Sequence, residues 1–249
     1  MTVVFVHGVP ESASLWDRLR THIPGDSVAL SLPGFGTPRP DGFTATKDEY
    51  VAWLEDELLA MKEPVHLVGH DWGAVLVARV AGRGAVPLRS WAIDVAGICH
   101  PDYEWHVLAQ TWQKEQVGEA WLTGTLEAAG QDSPLNPTTQ LVQAGMPPTD
   151  AAEAAEVFDE TMGTCILDLY RSALPNPYAA WGTEWTSPTK APGLVLRPTE
   201  DPFDTPAGED VADRLGARTA SLIGLGHWWM LEDSEQAATV LKTFWQTTH

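Results

Sequence analysis

Two kinds of apolar pattern alternate along this chain. Short runs that are apolar throughout occur at Thr2–Val6, 27–32, 65–68, 90–95, 193–196 and 220–223. Their length and β-branched content predict strands, and side chains apolar on both sides of the pleat predict strands buried on both faces. Between them, apolar residues recur at helical spacing. Tyr50, Val51, Leu54, Leu58, Leu59 and Met61 mark a helix ending near Lys62 that Thr46 or Asp48 can cap. Another helix opens at Ala74, and a last one spans Ser234–Trp245. Strands and helices in alternation predict a parallel sheet covered by helices on both faces, with about six strands.

The pattern changes between Gly97 and about Thr189. Helical runs at 104–129 and 150–173 carry many prolines and tryptophans, and no buried strand is evident. This divides the chain into a core, 1–97 and 190–249, and a helical cap or lid, 98–189. The cap is expected over the carboxyl ends of the strands, where open α/β sheets bind ligands. No internal repeat or low-complexity tract interrupts the scheme.

Three strand ends carry candidate chemistry. The strand at 65–68 runs into Gly69-His70-Asp71-Trp72-Gly73, which has the form G-x-S-x-G with an aspartate in the serine's place. The strand at 193–196 runs into Arg197-Pro198-Thr199-Glu200-Asp201-Pro202, and the last strand into Gly226-His227-Trp228. Nucleophile, acid, histidine in that chain order, with His7-Gly8 after the first strand, resembles the α/β-hydrolase fold over nearly the whole chain. The resemblance implies a triad of Asp71, His227 and Asp201, with Asp94 as an alternative acid. It also implies an oxyanion hole made by the backbone N–H groups of Val9 and Trp72. The usual first two strands of that fold are expected to be absent.

A carboxylate is a poor acyl-transfer nucleophile but a competent one toward a saturated carbon bearing a leaving group. Attack by Asp71 would give an alkyl ester on the enzyme. Water activated by His227 would then hydrolyse it at the enzyme's own carbonyl carbon. The leaving group can be an epoxide oxygen or a halide.

His7-Gly8-Val9-Pro10-Glu11-Ser12 and Gly226-His227-Trp228 resemble the epoxide hydrolases, which are related to the haloalkane dehalogenases. Dehalogenases carry asparagine where Val9 stands, and fluoroacetate dehalogenases carry arginine where Trp72 stands. Epoxide hydrolases supply two lid tyrosines, one in a Tyr-Arg pair, and Tyr170-Arg171 fits that position. The region expected to hold the second, His106 to Gln113, has no tyrosine. Tyr103 lies slightly early, and His106 or Trp112 stands within it. Trp112 beside Trp72 would instead resemble a dehalogenase halide clamp. Tyr103, His106, Trp112 and Trp228 are therefore expected to line the substrate site.

Composition narrows the ligand. With 15 Lys and Arg against 34 Asp and Glu, the formal net charge is −19. That field disfavours nucleic acid, anionic membranes and anionic substrates, and leaves a neutral hydrophobic small molecule and water as expected partners. Cys99 and Cys165 lack ligand spacing, and no run approaches ~20 apolar residues, so a cytoplasmic protein without a membrane span is expected. The eight histidines form no metal motif, and no phosphate loop or dinucleotide fingerprint is present. No cofactor or metal is expected, and the assembly is a monomer or homodimer. Other activities of the fold, ester hydrolysis or lyase chemistry, and use of the fold as a binding scaffold are the competing readings.

Overall fold

A computed structural model describes residues 2–182 and 187–248. Residues 183–186, inside the expected cap, lie outside the described residues. Six strands form one sheet: β1 (Thr2–Val6), β2 (Asp26–Leu30), β3 (Val65–Gly69), β4 (Leu88–Ile93), β5 (Gly193–Pro198) and β6 (Arg218–Leu222). The order is β2-β1-β3-β4-β5-β6, and every pairing is parallel.

Alternation along the strands divides the core. Val4, Val6 and Leu67 face one apolar cluster, while Val3, Phe5 and Val68 face another. The first cluster takes in α2 (Lys47–Leu59), α3 (Trp72–Arg83) and α10 (Ala207–Leu215). The second takes in α11 (Trp229–Glu232) and α12 (Ser234–Trp245), with Leu19 of α1 (Asp17–Arg20). Thr46 caps α2, its side chain accepting from the Glu49 N–H.

Between β4 and β5 the described residues hold six α-helices and no strand: α4 (Val107–Gln113), α5 (Val117–Glu127), α6 (Pro137–Gln143), α7 (Pro148–Glu156), α8 (Glu160–Ser172) and α9 (Pro177–Trp181). The run expected at 104–129 is two helices, broken where Gln116 takes φ 64°. The run at 150–173 is also two, broken before Asp159, whose carboxylate caps α8 by accepting from the Met162 N–H. Apolar spacing continues across both breaks, so the pattern alone does not reveal them. Cys99 and Cys165 are buried, free thiols. Among the described residues no helix is long and apolar enough to cross a membrane.

Candidate active site

The strand order reverses between β1 and β3, and the loops after these two strands meet there. This is the crevice where open α/β sheets place ligands. The loop after β3 is a sharp elbow. Asp71 adopts φ 50°, ψ −120°, a conformation that L residues rarely occupy and that persists only where the surroundings enforce it. Two glycines permit the elbow. A Cβ on Gly73 would lie 2.2 Å from the Val6 carbonyl oxygen, and one on Gly8 would lie 2.4 Å from the Asp71 side chain.

The Asp71 carboxylate sits against the loop after β1, where the Val9 N–H donates to Oδ1 at 2.9 Å. Val9 is one of the two backbone donors expected of an oxyanion hole; the other, Trp72, opens α3 immediately after Asp71. Burial pushes the Asp71 pKa up to about 6, against the pull of His227 and His70.

His227 follows β6. Its Nδ1–H donates to Asp201 Oδ2 at 2.9 Å, and both residues are buried. The bond fixes the tautomer and leaves Nε2 for other chemistry. Burial and the neighbouring His70 push the His227 pKa down. Asp201 and Asp71 push it up further, so the net direction is upward. Burial would raise Asp201, but its bond and charge contact with His227 lower it.

Asp94, the alternative acid, does not reach His227. Its Oδ2 lies 2.5 Å from His70 Nδ1 and accepts from Trp229 Nε1–H at 2.6 Å, while Oδ1 accepts from the Asp71 N–H at 3.0 Å. It ends on these partners because β4 lies beside β3, whose carboxyl end carries His70.

A second buried network, unread in the sequence, backs the site. Glu11 accepts from the Gly8 N–H at 2.9 Å and from Trp228 Nε1–H at 2.6 Å, and lies 3.2 Å from His70 Nε2. Burial would lower the His70 pKa, but Asp94 and Glu11 raise it well above the usual imidazole value. Burial would raise Glu11, but His70 holds it at about 2. A carboxylate three residues after His-Gly, together with the histidine before Asp71, was the available signal. Glu11, His70 and His227 offer ligand atoms within 4.8 Å of one another. His70 has carboxylates at both ring nitrogens, however, and His227 Nδ1 is bound to Asp201.

Aromatic side chains from the helical insertion roof the site. Tyr103, Trp105, His106, Trp112 and Tyr170 line one cavity with Val9, Asp71, Phe203, His227 and Trp228. Tyr103, His106, Trp112 and Trp228 are all among the lining residues. Burial, then the nearby Asp71 carboxylate, raises the pKa of both Tyr103 and Tyr170.

Trp112 does not stand beside Trp72 as expected. It packs on Tyr170 at 4.7 Å, and Trp105 takes the place beside Trp72, stacked at 5.7 Å. Tyr170 fills the space between, 5.4 Å from Trp72 and 5.1 Å from Trp105. The indole N–H groups of Trp72, Trp105 and Trp112 are buried without a hydrogen-bond partner. His106 caps α4, its Nδ1 accepting from the Ala109 N–H at 3.2 Å, and burial and His227 lower its pKa to about 4.

The Alpha/beta hydrolase family matches residues 3–240. A haloalkane dehalogenase from Mesorhizobium japonicum is 26% identical over 179 residues, covering 71% of this chain and 53% of that protein, about half its length. A loop variant of the haloalkane dehalogenase DbeA from Bradyrhizobium elkanii superposes with a TM-score of 0.73 at 19% identity, covering 99% and 89% of the two chains. A laboratory-evolved variant of the potato epoxide hydrolase StEH1 gives 0.75 at 17%, covering 98% and 92%. At these identities the structural likenesses speak to the fold.

Proposed function

The chain belongs to the alpha/beta hydrolase family, and within it we propose an enzyme that opens an epoxide to a vicinal diol. Asp71 attacks an epoxide carbon, the C–O bond breaks, and an alkyl ester forms on the enzyme. The oxygen held by the Val9 N–H becomes the ester carbonyl, already seated where negative charge develops when water attacks. His227 Nε2 takes the proton from that water. Asp201 stabilises the imidazolium that results. The ester C–O bond of the tetrahedral state then breaks, releasing the diol and regenerating Asp71.

The observation that carries the epoxide over the halide is the pair Tyr103 and Tyr170. Both line the cavity with Asp71, and a ring oxygen leaving as alkoxide needs a proton that a halide does not. At Val9 there is no carboxamide to hold a halide. Dehalogenation is the second reading, favoured by the unpaired indole N–H groups of Trp72 and Trp105. In either reading the helices at 98–189 act as the cap, and the relevant substrate is neutral and hydrophobic.

Turnover of styrene oxide and 1-bromobutane, with Asp71→Ala as control, tests this. Diol formation lost in the variant supports the epoxide reading. Halide release moves the assignment to dehalogenation. Silence on both by a folded protein favours a binding scaffold.

A further inference from the structure

The cavity does not end at the reacting groups. Its lining also takes in Trp121 and Thr125 of α5 and one face of α6. Pro137, Gln140, Leu141 and Ala144 line it at positions i, i+3, i+4 and i+7, which is a single stripe along a helix. Seven residues at the helical rise make that stripe about 10 Å long. Ala154 of α7 and Phe158 close the far side.

The chemistry of this arm is apolar although it contains an amide. Gln140 Oε1 accepts from Trp121 Nε1–H at 3.0 Å. Its Nε2 donates to Thr125 Oγ1 at 3.2 Å and to the Leu135 carbonyl at 2.7 Å. The amide is thus engaged at both ends by the protein, and a ligand in the arm gains nothing from polar groups of its own. Two small residues, Ala144 and Ala154, line it where larger side chains would fill the space.

We infer that this arm selects the substrate: an epoxide carrying one extended, unbranched apolar chain that lies along α6 while the ring sits at Asp71. A 10 Å stripe suits a chain of about eight carbons at ordinary C–C spacing. The inference rests on the epoxide reading for its reacting group. The arm itself does not depend on that reading.

The test is kcat/KM across 1,2-epoxyalkanes from butane to dodecane. Each methylene that enters the arm raises kcat/KM by about two- to fourfold, up to the value for burying a CH₂ group. The rise levels off once the arm is full. Ala144→Trp and Ala154→Phe, each checked for an unchanged thermal transition, abolish the rise, slowing the decane derivative far more than the butane one. A flat series, or variants that slow butane and decane derivatives equally, overturns the proposal.

Binding of 1,2-decanediol and 1,2-butanediol, read by quenching of tryptophan emission, separates the two failures. Suppose no epoxide is turned over. Tighter binding of the longer diol, lost in Ala144→Trp, then upholds the arm and overturns the epoxide reading. Equal or absent binding of the two diols overturns the arm.

Discussion

The floor and the roof of the cavity are built in opposite ways. On the floor, the charged groups around the reacting residues are paired. Asp71 rests on the Val9 N–H, His227 on Asp201, and His70 between Asp94 and Glu11. On the roof, Trp105 and Trp112 bury indole N–H groups with no partner, facing the unpartnered Trp72 N–H below, and the rest of the lining is aromatic and aliphatic. Buried polar groups are normally satisfied, so the floor is a finished electrostatic device. The roof is unfinished until something occupies the cavity. The floor therefore sets what reaction is possible, and the roof sets which molecule undergoes it.

If this division holds, substitutions on the floor slow every substrate, and substitutions on the roof discriminate between them. The largest effect is expected at Asp201→Asn. Without the carboxylate, His227 loses its fixed tautomer and the support for its charge, and kcat falls ~10³- to 10⁴-fold on epoxides and haloalkanes alike. Steady-state rates on both substrates check this, and a loss confined to one class would break the division.

Tyr170→Phe comes next. It slows epoxide opening ~10- to 100-fold, the usual contribution of a general acid. It leaves any haloalkane rate within about threefold, because a halide departs without a proton. Equal losses on both would make Tyr170 a packing residue.

The smallest effect concerns stability. The folded pKa of Asp71, about 6, lies above its ordinary value of 3.8. Ionising it at neutral pH therefore costs folding stability. The cost is absent below about pH 4 and grows as pH rises through about 6. Asp71→Asn is expected to raise Tm relative to the unmodified chain at pH 8, with the gain shrinking toward pH 4. Calorimetry at the two pH values checks it, and a pH-independent difference would contradict the raised pKa.

The same division explains what the sequence made legible. The floor is short-range chemistry: Gly69-His70-Asp71-Trp72-Gly73 and Gly226-His227 each sit within a few residues of a strand end. A turn motif there places side chains by local geometry alone. The six parallel strands followed for a similar reason, since runs apolar on both faces leave few alternatives. The roof depends on contacts between helices far apart in sequence. Spacing alone could not choose Trp105 over Trp112 as the neighbour of Trp72, because Trp105 lies in the irregular segment before α4, which no periodic pattern places. Nor could it show that α6 turns one stripe toward the cavity. Asp94, the alternative acid, is the instructive case on the floor. It lies at the right strand end for an acid, but the pairing of β4 with β3 commits it to His70 and the Asp71 N–H.

The central claim is that Asp71 becomes covalently bonded to substrate carbon and that His227 releases it. Intact-mass measurement of His227→Gln after exposure to a substrate that the unmodified protein turns over tests this most directly. The account predicts an added mass equal to one whole epoxide, located by peptide mapping on Asp71, and its absence in Asp71→Ala. A His227→Gln protein that is folded and binds that substrate but shows no adduct would contradict it.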